Sequence, residues 1–183
     1  MADSNITKRT LASALKELME QMPFSKISVS DICERCEMNR KSFYYHFRDK
    51  YDLVNWIFDV EFFSIANTQE ERRPWEFMEV LCEYFYENRS FYRRALQIEG
   101  QNSFVEHFRM LLKSALRDFL EKILTDPVYL EFQINFYADA FLGSIERWLA
   151  DKDCAKPDEF VTMLRCSVKA IAEYAVNDEE LDL

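Results

Sequence analysis

From Thr7 to Met22 the apolar residues fall three and four apart: Leu11, Leu15, Leu18 and Met22 lie on one line, Ala14 and Met19 lie beside it, and Pro23 ends the run. That spacing predicts a helix, because residues at i, i+3 and i+4 share one face and proline cannot continue the amide ladder. In "SVSDICERC" Ile32, Cys33 and Cys36 give a second, shorter helix its buried face. Ser28 stands where a cap belongs, and Asp31, three residues on, fits a variant of the capping box. Asn39 offers another cap, opening a third short helix from about Arg40 to Tyr45, with Phe43 and Phe47 expected to pack inward. A fourth helix starts near Lys50 in "RDKYDLVNWIFDVEFF", with Leu53, Trp56, Ile57 and Val60 on one face, and links the small N-terminal helices to the larger remainder of the chain.

Further on, helices are predicted near 74–88, 90–97, 102–124, 128–150 and 157–176. Pro74, Pro127 and Pro157 stand at helix starts, and "IEGQNS" supplies Gly100 and Asn102 as a break and a cap. The segment "VYLEFQINFYADAFLGSIERWLA" is apolar on nearly every face, including Tyr129, Phe132, Phe136, Ile145 and Trp148. A helix buried all round needs two packing partners. One is its own bundle and the other a second copy of the chain, with Ala140, Gly143 and Ser144 permitting close approach. The last helix carries a comparable stripe of Phe160, Met163, Leu164, Ser167, Ile171 and Tyr174. The expected dimer interface is therefore Tyr129, Phe132, Phe136, Ala140, Gly143, Ser144, Met163, Ser167 and Ile171.

Composition sharpens the fold class. Two glycines and four prolines in 183 residues leave little for hairpin turns. The expectation is an all-α protein of about nine helices, divided into a small three-helix domain with its linking helix over residues 1–64 and a helical regulatory and dimerisation domain over 65–183. No apolar run approaches the roughly 18 to 20 residues that span a bilayer, so no membrane partner is expected. Five cysteines, an odd number without a regular framework, suit a reducing compartment, and the expected location is cytoplasmic. The closing "NDEELDL" reads as a solvated acidic tail.

Charge changes the picture more. The net charge is -10, yet residues 1–50 hold nine Lys or Arg against seven Asp or Glu, and the acidity lies beyond them. Between Asn39 and Lys50 there are four basic residues and one acidic. A basic patch on the second of two short, closely joined helices is a helix-turn-helix arrangement facing a polyanion. Arg40 and Lys41, in the first turn, are placed to reach guanine edges in a major groove. Tyr44, one turn later, is placed to touch a base edge or a thymine methyl.

The run "NRKSFYYHFRDKYDL" resembles the DNA-binding domain of TetR-family transcription regulators, with Phe43, Tyr44, His46, Phe47, Lys50, Asp52 and Leu53 where that family's pattern wants them. The upstream "ISVSDICERCEM" is similar to its second helix and turn. The resemblance covers residues 7–60 by motif and the remainder by helix layout. It implies phosphate contacts from Asn39, Ser42, Tyr45, His46 and Lys50, with Ser28 and Ser30 as further contacts, and dimerisation through the last two helices. "ENRSFYRRALQIEGQNSF" is similar to the subgroup linked to dihydroxyacetone kinase. One departure stands out: Glu37 occupies a turn position where the family usually has Gly. A left-handed backbone there is unfavourable by about 1 kcal/mol, so a distorted turn is expected.

Other chemistry is thin. Cys33 and Cys36 form C-x-x-C without a second ligand pair, so they are read as small core residues and no metal is expected. His107 stands apart from any nucleophile, and no glycine-rich phosphate loop, nucleophile elbow or H-E-x-x-H occurs, so neither enzyme activity nor a cofactor is expected. Of 28 aromatic residues, 23 come after residue 50. They form a solid core or line a cavity for a small effector, for which Trp75, Tyr84, Phe104, His107, Phe108 and Phe136 are the candidates. The expected function is a homodimeric, sequence-specific regulator of transcription that binds double-stranded DNA. A small-molecule effector or a partner protein acting on the C-terminal bundle controls it; the alternatives are an activator with a solid C-terminal domain controlled by a regulatory protein and, more distantly, a helical-bundle enzyme.

Overall fold

Capping chemistry sets where the helices begin. The computed structural model describes residues 2–66, 73–98, 100 and 102–177. Among them are nine α-helices and no strand: α1 Ala2–Gln21, α2 Val29–Arg35, α3 Arg40–His46, α4 Lys50–Ala66, α5 Pro74–Glu87, α6 Arg89–Ala95, α7 Phe104–Leu120, α8 Pro127–Ala150 and α9 Pro157–Asn177, with a 3-10 turn at Phe24–Lys26. The Ser28 hydroxyl accepts from the Asp31 amide while the Asp31 carboxylate accepts from the Ser28 amide, a complete capping box. Those bonds, the backbone one foremost, hold the Asp31 carboxyl below its ordinary range. Asn39 caps α3 through the Ser42 amide, and Asp126 caps α8 through the amides of Val128 and Tyr129.

Three boundaries differ from the sequence reading, among them the end of α7, at Leu120 and not near 124. α1 starts at Ala2, five residues early, in a polar first turn that burial does not mark. α7 is capped by Ser103, not Asn102. Asn102 sits at φ +64°, outside the extended region an N-cap requires, so it turns the chain and its neighbour caps.

α1, α2 and α3 pack together as a head, with Leu11, Leu15, Ile32 and Phe43 fully buried. α4 is buried along two stripes. Leu53 and Ile57 lie on the predicted face, where Trp56 meets Phe47 of the head edge-on with ring centroids 5.6 Å apart. Val54, Phe58 and Phe62, roughly a quarter-turn or more round the helix, are equally buried, and Phe58 and Phe62 enter the body. Phe58 meets Tyr84 and Phe85 of α5, Tyr92 of α6, and Phe104 and Phe108 of α7, all with centroids within 6.1 Å. Head and body thus share one contiguous core.

α8 packs mainly on α7, and α9 on α5. Arg93 closes the end of α8, its Nε donating to the Leu149 carbonyl at 2.6 Å and its Nη2 to that of Asp151 at 2.7 Å, which supplies donors to carbonyls no further turn can satisfy. Trp148 stacks on Phe160 at 4.4 Å. No described helix is long and apolar enough to cross a membrane.

Candidate nucleic-acid interface

The turn between α2 and α3 keeps the left-handed geometry despite its side chain. Glu37 has φ +54°, the Met38 amide donates to the Cys33 carbonyl at 2.9 Å, and the Glu37 amide donates to that of Glu34 at 3.2 Å. This is the double bond pattern that normally ends on glycine. The expected distortion is absent; Glu37 takes the strained conformation and leaves the turn intact.

On α3 the side chains separate cleanly. Phe43 is fully buried, while Arg40, Lys41, Tyr44 and Tyr45 face outward, the tyrosines 50% and 82% exposed. Exposure of two large rings beside two cations is unfavourable in water alone and fits a surface made to be covered. The Arg40 guanidinium lies 5.8 Å from the Tyr44 ring centroid and reaches its hydroxyl at 3.4 Å, so the two present one combined surface. Ser42 and His46 flank this face, half-buried, with Asn39 exposed at its leading end. Ser28 is exposed and Ser30 half-buried at the start of α2.

Lys50 is placed differently from the other phosphate candidates. Its ammonium donates to the Phe24 carbonyl at 2.7 Å and the Ile27 carbonyl at 2.6 Å, and lies 4.3 Å from the Phe24 ring centroid. Desolvation lowers its pKa. The side chain therefore ties the α1–α2 connection to the start of α4, with one N–H direction left for a phosphate.

The six effector candidates do not converge on one place. Tyr84, Phe104 and Phe108 pack ring to ring with Phe58, Phe85 and Tyr92 at 5.1 to 6.4 Å. His107 borders this cluster and binds Asp59 of α4 through Nε2 at 2.6 Å. Trp75 lies elsewhere, against Phe141 and the Arg165 guanidinium. Phe136 is 53% exposed and stacks on Phe132. Within the cluster the Tyr84 and Tyr92 hydroxyls share a buried bond of 2.6 Å, and Tyr84 donates to Glu61, which Lys16 of α1 holds at 2.6 and 2.7 Å. Burial raises the pKa of both tyrosines.

Glu61 and Lys16, like Phe58, escaped the sequence reading. The signal for Phe58 was the second i, i+4 series of Val54, Phe58 and Phe62. Nothing in the sequence marked the Lys16–Glu61 pair, which joins residues 45 apart. Cys33 is buried and the Cys36 thiol bonds to the Ile32 carbonyl; burial raises both pKa values, and neither belongs to a metal-binding group among the described residues.

Along α8 the dimer candidates Tyr129, Phe132, Phe136 and Ala140 are exposed and Gly143 and Ser144 half-buried, forming one stripe. Ile145 and Trp148 turn inward. On α9 Met163, Ser167 and Ile171 are exposed, whereas Phe160 and Leu164 are buried within the chain; the side chain of Tyr174 lies outside the described residues.

Residues 11–57 match the family described as bacterial regulatory proteins, tetR family, and residues 73–169 match a transcriptional regulator C-terminal region of the same family. The HTH-type dhaKLM operon transcriptional activator DhaS of Lactococcus lactis subsp. lactis (strain IL1403) is 32% identical over 127 residues, covering 69% of this chain and 65% of that relative. The fold is similar to the solved dihydroxyacetone kinase operon activator DhaS (TM-score 0.65, 23% identity, 91% of this chain and 97% of that one). It is also similar to a TetR transcriptional regulator from Streptococcus agalactiae 2603V (TM-score 0.68, 19% identity, 88% and 95%).

Proposed function

This chain belongs to the tetR family of bacterial regulatory proteins, and we propose that it acts in the cytoplasm as a homodimeric, sequence-specific DNA-binding regulator of transcription. Helix α3 enters the major groove, where Arg40, Lys41 and Tyr44 meet base edges. Ser28, Ser30, Asn39, Ser42, Tyr45, His46 and the remaining N–H of Lys50 meet phosphates. The observation that carries this reading is the outward arc of Arg40, Lys41, Tyr44 and Tyr45 on a helix whose Phe43 is wholly buried, in a chain of net charge -10. A division near residue 64 into head and regulatory body accords with the separate matches over 11–57 and 73–169.

The exposed stripe on α8, with Met163, Ser167 and Ile171 of α9, is the proposed seat of the second copy. It would set two α3 helices about 34 to 36 Å apart, or somewhat more, over an inverted repeat. The activator role of the relative DhaS supports activation over repression. The ring-to-ring packing of the body favours control from its surface, by a partner protein or a surface-bound effector, over an apolar effector at its centre.

Fluorescence anisotropy with the promoter beside its own gene, at two salt concentrations, tests the reading. Specific binding weakened steeply by salt is expected. Arg40→Ala or Lys41→Ala should reduce the preference for that promoter over random duplex, and Phe132→Glu with Phe136→Glu should yield monomers in sedimentation. Wild-type affinity and preference in both α3 variants would overturn the DNA-reading assignment.

A further inference from the structure

A cleft of about 460 Å³ lies between head and body, outside both the α3 face and the aromatic cluster. Its head side is Gln21, Phe24 and Ser25 at the end of α1 and the 3-10 turn, with Tyr51 of α4; its body side is Arg94 and Gln97, at the end of α6. Phe24 and Tyr51 pack edge to face at 5.1 Å and form an apolar wall. No Asp or Glu among the described residues lines the cleft, although the chain carries 33 of them.

Arg94 is the unusual member. The other half-buried arginines among the described residues, Arg93, Arg109 and Arg117, each hold a carbonyl or a carboxylate. The Arg94 guanidinium has no ion pair or hydrogen bond among the described residues, and the residue is half-buried on the cleft wall. A guanidinium without an acceptor in the chain's described residues is open to acceptor oxygens from a ligand, and its planar fork matches a carboxylate or phosphate in a bidentate pair. The cleft is within the usual size of small-molecule sites, and Gln21, Ser25 and Gln97 supply neutral donors around the cation.

We propose that this cleft binds a small organic oxyanion, a carboxylate or a phosphate ester, anchored by Arg94 with its carbon skeleton against the Phe24–Tyr51 wall. Because the ligand touches the head on one side and α6 on the other, it binds best at one head-to-body spacing and shifts the population toward it. That consequence rests on the regulator reading; the binding itself does not.

Calorimetric titration of the full chain with inorganic phosphate and with malonate, at ionic strength held constant with chloride, separates the two anion classes. Saturable binding of at least one is expected. Arg94→Gln should weaken it at least tenfold, Arg94→Lys should retain part of it, and Lys41→Gln should leave it unchanged, with circular dichroism reporting that each variant is folded. The site does not exist if neither anion binds beyond the chloride control, if binding survives Arg94→Gln, or if Lys41→Gln abolishes it, which would place the anion on α3. DNA affinity is not part of this readout, so the cleft can fail while the DNA-binding reading stands.

Discussion

His107 on α7 and Asp59 on α4 meet through Nε2 and Oδ1 at 2.6 Å, joining the helix that carries the head to the helix that backs the aromatic cluster. Both side chains keep about a third or more of their exposure, 32% and 40%, so solvent screens the pair and its net worth is about 1 kcal/mol. A double-mutant cycle of Asp59→Ala and His107→Ala, read by urea unfolding, should return a coupling of that size. Strictly additive losses would show that the contact contributes nothing beyond packing.

Replacing Glu37 with Gly should raise stability by about 1 kcal/mol, because φ +54° is unfavourable for a side-chain-bearing residue and open to glycine. The denaturant midpoint should rise with its slope unchanged. A fall in the midpoint would mean that the Glu37 side chain contributes more than its backbone strain costs.

Lys50→Met separates a structural role from a DNA role. Losing the bonds to the Phe24 and Ile27 carbonyls should cost about 1 to 3 kcal/mol of stability. A lysine that acted on phosphate alone would leave the melting temperature where it was. DNA affinity should fall for all sequences alike, since phosphates carry no sequence information.

Alkaline pH should destabilise the fold. Burial pushes the Cys82 thiol from 9.0 up to about 12. Between those values the unfolded chain releases a proton that the folded chain keeps, so the folded state binds more protons and stability falls as pH rises. Buried Tyr84 and Tyr92 act with the same sign, whereas Lys50, whose pKa is lowered, acts in the opposite sense. Urea unfolding in reductant should show a declining free energy above about pH 9, and Cys82→Ala should flatten the slope by up to about 1.4 kcal/mol per pH unit. An unchanged slope in Cys82→Ala would remove the thiol from this account.

The head was legible because local signals agree there. Ser28 with Asp31, Asn39 before Arg40, and the inward phases of Phe43 and Phe47 all act within one or two turns, and all stand as read. The start of α7 is not decided by the sequence, since Asn102 and Ser103 are both good caps and only the observed φ of Asn102 chooses between them. Lys50 fits the family pattern, but its bonds to carbonyls 23 and 26 residues away are tertiary and leave no periodic trace. The candidate effector residues are rings at helical spacing; that spacing places a ring on a face without saying whether the face meets a neighbour, as Phe108 does, or water, as Phe136 does.

The double burial of α4 bears on how such proteins diversify. Residues answering to the head, Tyr51, Trp56 and Glu61, alternate along one helix with residues answering to the body, Asn55, Phe58 and Phe62. No single crossover point in the gene separates the two sets. A chimera that joins this operator-reading segment to a foreign sensor would have to interleave residues from both parents across three helical turns, and a clean splice at either end of α4 would leave one parent's core facing the other's side chains.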